Sequence, residues 1–347
     1  MLTARENMRQ AIIGGTPDRY VNQYEAIQLL FDPFSLFHNK RPMPGERHVV
    51  NAWGISNSFP EGEPGAFPDH AEGLIVCDDI EKWEEHIIMP DINVITDEEW
   101  DICKKMYDAV DTEKAYKAVF VAPGLFEQTH HLMSIEEALV NYMDEPELMG
   151  EILDYLVEWE LLIAKGVCEN LHPDALFHHD DWGSERNSFF PPDMFDEFFT
   201  KRYAKIYGYY KEHGCEFVFH HSDSYGANLV PYMIEMGIDV WQGCMESNDV
   251  PALVDKYQGQ ITFMGNVDNK AIDFDGWTTE DCERAAEKAL QLPMTSYIPC
   301  ITQGGPGSVF PGAYAELAKH IDRINCERFG FTQEQLDAQR MDWQILF

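Results

Sequence analysis

Eight short, nearly continuous apolar runs set the limits on what this chain can fold into. They are RYVNQYEA (19–26), RHVVNAWG (47–54), KAVFVAPG (117–124), DALFHHDDWG (174–183), EFVFHHSD (216–223), IDVWQGC (238–244), QITFMGNVD (260–268) and TSYIPCITQGG (295–305). Runs without strict alternation suit parallel strands buried on both faces. Between them lie amphipathic patterns, among them SIEEALVNYM (134–143), PELMGEILDYLVEWELLIAKGV (146–167), DMFDEFFTKRYAKIYGYYKEH (193–213) and GAYAELAKHIDRINCERFG (312–330). Eight strands alternating with helices over 347 residues predict a single (β/α)8 TIM barrel, an α/β fold, opened by an N-terminal helix. An open doubly wound sheet is the alternative, but no G-x-G-x-x-G follows the first strand. The longest interruption, residues 55–116, holds SFPEGEPGAFPDH (58–70) and is expected to be a lid-like insertion after strand two.

A 45% hydrophobic share supplies a large core, yet no apolar run reaches the roughly 18 residues of a membrane span. The opening MLTARENMRQAIIGG has no apolar signal core, and the eight cysteines include no C-x-x-C pair. Reduced thiols in a cytoplasmic protein are expected. A formal charge of −36 repels a phosphate backbone, so nucleic acid is not the expected partner.

In barrels of this type the chemistry sits where the strands end, and polar groups gather at those ends here. His221 and Asp223 stand two apart on a strand, so their side chains point the same way. Cys300 closes the last run after an apolar lead-in and Pro299. Imidazole, carboxylate and thiolate are all zinc donors, and three protein ligands leave one position open for substrate. The same residues also suit a hydrogen-bonded pair and a buried thiol acting as a small hydrophobe. Glu246 follows the sixth run as a candidate further ligand. Asp180 and Asp181 are strand neighbours facing opposite ways, so at most one enters the mouth, to touch substrate or protonate a leaving group; the other use of such a carboxylate is a helix N-cap or a place on the surface. Glu127 is a candidate acid or fourth ligand. Substrate contacts are expected from Asn51, Trp53, Trp182, Tyr225, Asn266, Gln303 and Phe310. His178 and His179 read as structural. His220 faces away from His221 unless a bulge exchanges them. The use of the His130–His131 pair stays open, and TQGGPGSVFPG (302–312) reads as backbone lining of the cavity.

Several long segments carry a family resemblance. MLTARENMRQAIIGGTPDRYVN looks like the first helix and strand of the uroporphyrinogen decarboxylase superfamily. HHDDWGSERNSFFPPDMFDEFFTKRYAKIYGYYKEHG looks like its fourth strand and following helix. FVFHHSDSYGANLVPYMIEMGIDVWQG resembles the segment with its His-x-Cys metal pair. Within the superfamily the chain is similar to the corrinoid-dependent methyltransferases, and Cys300 falls where their second metal cysteine would. Two departures shape the reading. The decarboxylases' arginine-rich N-terminal segment is missing, since Arg19 stands alone in TPDRYVNQYEA. The first metal cysteine is replaced by Asp223. A carboxylate in place of a thiolate hardens a zinc site toward oxygen ligands. The resemblance therefore implies a zinc-dependent methyltransferase that cleaves a methyl ether, in its aromatic form the first component of an O-demethylase. The methyl group would pass to a Co(I) corrinoid supplied by a partner protein. The alternatives are a methylcobamide:thiol methyltransferase and a non-catalytic barrel that binds a corrinoid or tetrapyrrole.

Overall fold

A computed structural model describes residues 1–63, 65–303 and 309–341. The strands are β1 (Ile27–Leu30), β2 (Val49–Val50), β3 (Ser56–Ser58), β4 (Phe67–Pro68), β5 (Tyr116–Val121), β6 (Ala175–His179), β7 (Phe217–His221), β8 (Val240–Cys244), β9 (Thr262–Val267) and β10 (Tyr297–Ile301). Seven of them form one sheet in the order β1-β5-β6-β7-β8-β9-β10, every pair parallel. The sheet is curled. Ile27 and Leu29, Ala118 and Phe120, Phe177, Phe219, Val240, Met264, Ile298 and Cys300 all meet in one interior cluster. Their strand neighbours Leu30, Val119, Leu176, Val218, Trp241, Phe263 and Tyr297 pack outward against the helices. Alternate residues thus fill an inner and an outer core, as two-sided burial requires.

Two of the eight expected barrel strands are placed differently. Residues 19–26 make no strand, and the first strand begins at Ile27. Two amides of 19–26 are taken by side chains instead: Tyr20 N–H donates to Asn325 Oδ1 at 3.0 Å and Asn22 N–H to Glu25 Oε1 at 3.0 Å. The Gln23 side-chain oxygen accepts the Ile301 N–H at 3.4 Å, so this segment borders β10 through a side chain rather than a ladder. The expected second strand, 47–54, lies outside the barrel. Its Val49 and Val50 pair antiparallel with β3, and β3 pairs with β4, in a small separate sheet. Among the described residues the parallel sheet therefore has seven strands, not eight.

The helices follow the amphipathic patterns. Ala4–Ile12 starts at a Thr3–Glu6 capping box, which satisfies two amides that the first turn leaves free. Ile135–Asp144, Pro146–Asn170 and Ala313–Phe329 stand where the apolar stripes put them. The 192–212 pattern forms one helical stretch with a π turn at Asp196–Thr200. The insertion between β1 and β5 leans on the long helix Pro146–Asn170. Trp83 packs on Tyr155 at 5.5 Å between ring centroids and Trp53 on Trp159 at 5.2 Å, while the Met89 N–H donates to the Tyr155 hydroxyl at 2.8 Å. Among the described residues no helix is long and apolar enough to cross a membrane.

Candidate metal centre at two histidine-tipped strands

β6 and β7 both end in two histidines, and the strands pair in register, His178 opposite His220 and His179 opposite His221. Phe177 and Phe219 point into the barrel, so His179 and His221, two residues on, point there too. His178 and His220 share the other face with Leu176 and Val218. The result is two tiers. The inner rings stack at 4.4 Å between centroids and the outer rings at 5.9 Å.

The outer tier is held by the helix layer. His178 Nε2 meets Glu160 Oε2 at 3.0 Å, and His220 Nδ1 meets the Tyr207 hydroxyl at 2.8 Å. Asp180 belongs to this tier. Its carboxylate accepts the N–H groups of Phe126 at 3.0 Å and Glu127 at 2.8 Å, the Trp182 indole N–H at 2.8 Å and a short bond from the Tyr203 hydroxyl. Burial, then the Glu127 charge, pushes this carboxyl up to about 7 despite those donors. Asp180 and Trp182 therefore stand behind the barrel wall, with Trp182 stacked on His220 at 3.9 Å. Of the two neighbouring aspartates it is Asp181 that reaches the site.

Each inner-tier imidazole has one ring nitrogen occupied by an oxygen. His179 Nδ1 meets Glu127 Oε2 at 2.9 Å, and His221 Nδ1 makes a close contact with Gln242 Oε1. Both Nε2 atoms are thereby left for another ligand. Asp181 lies two residues beyond His179, and its Oδ1 accepts the Asp223 N–H at 2.9 Å. Ligand atoms of His179, Asp181 and His221 all fall within 4.8 Å of one another. Two imidazoles and a carboxylate are a donor set for a divalent transition metal. An oxygen acceptor on the far nitrogen of each histidine is the support such ligands receive in metalloproteins.

The electrostatics favour a cation at this point. Burial works against a charge on His179, but Glu127, then Asp181 and Asp223, outweigh it and push the imidazole up to about 10. Burial and then the His179 charge hold His221 down to about 4. Burial and then Asp181 push the Asp223 carboxyl up to about 8. Three carboxylates crowd the two rings, and a bound dication would neutralise that excess. The residues present fit a metal.

The expected ligands divide. His221 is in the group. Asp223 stands alongside it, its N–H on Asp181 and its carboxyl hydrogen-bonded by the Gln303 side chain. Cys300 is outside the group. It points into the barrel interior, fully buried beside Gln242, and burial holds its thiol well above the usual range. Glu246 is drawn to Lys288 at 2.6 Å, on the helix Thr279–Ala289. His179, read from sequence as structural, is instead a member of the group. The paired histidines and paired aspartates of HHDD leave two phases open, and only the apolar residues before them choose one. Gln242 was also missed, although a glutamine inside the apolar run DVWQGC was its signal.

The expected substrate contacts are scattered. Asn51 Oδ1 closes a turn by accepting the Trp53 and Ile55 N–H groups, both at 3.0 Å. Trp53 is buried against the long helix. The Tyr225 N–H donates to Ser184 O at 2.8 Å, and Asn266, on β9, bonds the Tyr297 hydroxyl. Phe310 is half-exposed, its N–H on Asp273 Oδ1 at 2.7 Å. Of the 302–312 segment, residues 304–308 lie outside the described residues. His130 and His131 meet edge to face at 4.7 Å between ring centroids, with His70 from the insertion near enough to act on both. Burial first and His70 second hold His130 down to about 4.

No family model matches the chain, and none of the curated proteins compared is similar to it. Among solved structures, a methyltransferase from Methanosarcina mazei superposes over 93% of this chain and 99% of that one. The TM-score is 0.61 and the sequence identity 14%. The two chains share a fold.

Proposed function

We propose that the chain is a metal-dependent methyltransferase that takes a methyl group from a methyl ether, in the simplest case a methoxylated aromatic, and passes it to the Co(I) corrinoid of a partner protein. The observation that carries the metal is the inner tier, two imidazoles with Nδ1 committed to oxygen acceptors and Asp181 beside them. The similarity in fold to a methyltransferase supports the class of reaction.

His179, Asp181 and His221 would hold the ion, with Asp223 next to them. Zinc there would supply Lewis acidity toward an ether oxygen, whose departure is otherwise opposed by the charge it develops. A donor set of nitrogen and carboxylate, without a thiolate, favours an oxygen-linked donor over a thiol. The chain's own groups do the rest. Glu127 orients His179, and Gln242 orients His221. Asp223, buried beside Asp181, is the nearest carboxyl able to give a proton to the departing oxygen. The corrinoid would reach the methyl group from the side where the strands end.

The test is methyl transfer from a panel of methoxylated aromatics to a reduced corrinoid protein, followed by the cobalt absorbance change, alongside metal analysis of the purified chain. Zinc at one equivalent with ether-dependent methylation is expected. A metal-free, fully active protein would overturn the reading.

A further inference from the structure

A small cavity of about 30 Å³ lies behind the barrel wall where β1 and β5 end, flanked on one side by the helix Pro146–Asn170. Trp53, Leu156 and Ile163 give it apolar walls. Six polar residues also line it: Asp32, Ser35, Asn39, Gln128, Trp159 and Glu160. No residue of the His179–Asp181–His221 group does.

Two of those polar groups are unsatisfied. Gln128 Nε2 and Trp159 Nε1 are buried and have no hydrogen-bond partner. Gln128 is only 6% exposed. Native interiors seldom leave buried N–H groups unpaired, so the cavity calls for an acceptor. The two acids are already engaged, Asp32 by the Ser35 N–H at 3.1 Å and Glu160 by His178 at 3.0 Å. They narrow the occupant by charge. Two buried carboxylates oppose an anion, and two inward N–H dipoles oppose a cation. A neutral oxygen acceptor remains. One water needs about 10–15 Å³ of such space, so the cavity takes roughly two non-hydrogen atoms. Apolar walls favour carbon as the second atom.

We propose that this cavity is a binding site for a methanol-sized primary alcohol. Its oxygen accepts from Gln128 Nε2 and Trp159 Nε1, its hydroxyl proton faces the carboxylates, and its methyl group lies against Leu156 and Ile163. Trp53 also lines a hollow of about 510 Å³ in the insertion, so this indole is the partition between the buried cavity and the approach from outside. The site does not depend on the methyl-transfer reading, because its occupancy can be measured with no reaction running.

The experiment is a titration of the full chain with carbon-13 methanol by saturation-transfer NMR, together with crystals grown with and without methanol. Saturable binding in roughly the millimolar range is expected, which is the ceiling for so small a ligand. The crystals should show a two-atom molecule between Gln128 and Trp159. The variant Gln128→Leu/Trp159→Phe removes both donors, and its smaller ring at 159 leaves the site more room rather than less, so lost binding cannot come from a filled cavity. It should weaken binding at least tenfold while leaving metal content unchanged. Two ordered waters persisting at saturating methanol would overturn the proposal, and so would equal binding by the double variant. If that variant does not fold, the wild-type titration and crystals decide alone.

Discussion

His179 carries a proton that a metal would have to displace. Its imidazole is pushed up to about 10, so at neutral pH it is charged, while His221, held down to about 4, is neutral. Metal ligation needs the neutral ring. Zinc affinity should therefore rise with pH from about 7 toward 10, by up to roughly tenfold per unit. At least one proton should be released per zinc at pH 7. Calorimetry in buffers of different ionisation enthalpy counts it, and no buffer dependence would refute the account. At the same scale, His179→Ala should lose the metal and Cys300→Ala should keep it, both read by metal analysis. Sequence pointed to His221 through its place two residues from Asp223 at a strand end, together with the family resemblance of that segment. It could not pick His179, since the face of a strand is set by which of its residues enter the interior. Nor could it place Cys300 beside Gln242, a neighbour visible only in three dimensions.

The helix Leu125–Met133 is the element that seats Glu127, and Asp180 caps it through two backbone N–H groups. The chain passes this point at Gly124, where an added Cβ would stand 2.4 Å from the Asp180 Cβ and 2.7 Å from the Tyr203 hydroxyl. Neither obstacle is a flexible chain end. Gly124→Ala should lower stability by roughly 2 kcal/mol, the cost of overpacking, and weaken metal binding by shifting Glu127. Denaturant unfolding and metal analysis test the two effects separately. The small sheet β2–β4 is tied by Asp69, which accepts from the hydroxyls of Ser56 at 2.7 Å and Ser58 at 3.0 Å. Asp69→Ala should speed proteolytic cleavage within 44–70 and slow methyl transfer, with metal content intact. Unchanged cleavage would show that the sheet is held by other contacts. Six of the eight apolar runs were legible as barrel strands because their length and continuity leave few other folds. The first two were not. Asn22 and Glu25 close a local turn within 19–26, and Val49 and Val50 found partners only eight and six residues away, at Asn57 and Ser56.

With a formal charge of −36, the molecule as a whole carries a field that any partner must meet. A corrinoid protein with a basic face would be steered toward it, and the encounter would slow as salt rises. Methyl transfer to the protein-bound corrinoid should fall between 50 and 500 mM salt by roughly tenfold or more, while transfer to free cob(I)alamin should change little. Equal salt dependence for the two acceptors would argue against a dedicated partner. A last consequence comes from the paired tiers of β6 and β7. Shift β6 by one residue and His178 with Asp180 would face inward in place of His179 with Asp181. The tetrapeptide HHDD thus spells the same donor set in both reading frames. The ligands themselves cannot tell the chain which frame is native. That choice falls to residues with no part in the chemistry: Phe177 and Phe219 inside, Tyr203, Tyr207 and Glu160 outside. Damage to those five would scramble the centre while every ligand stayed in the sequence.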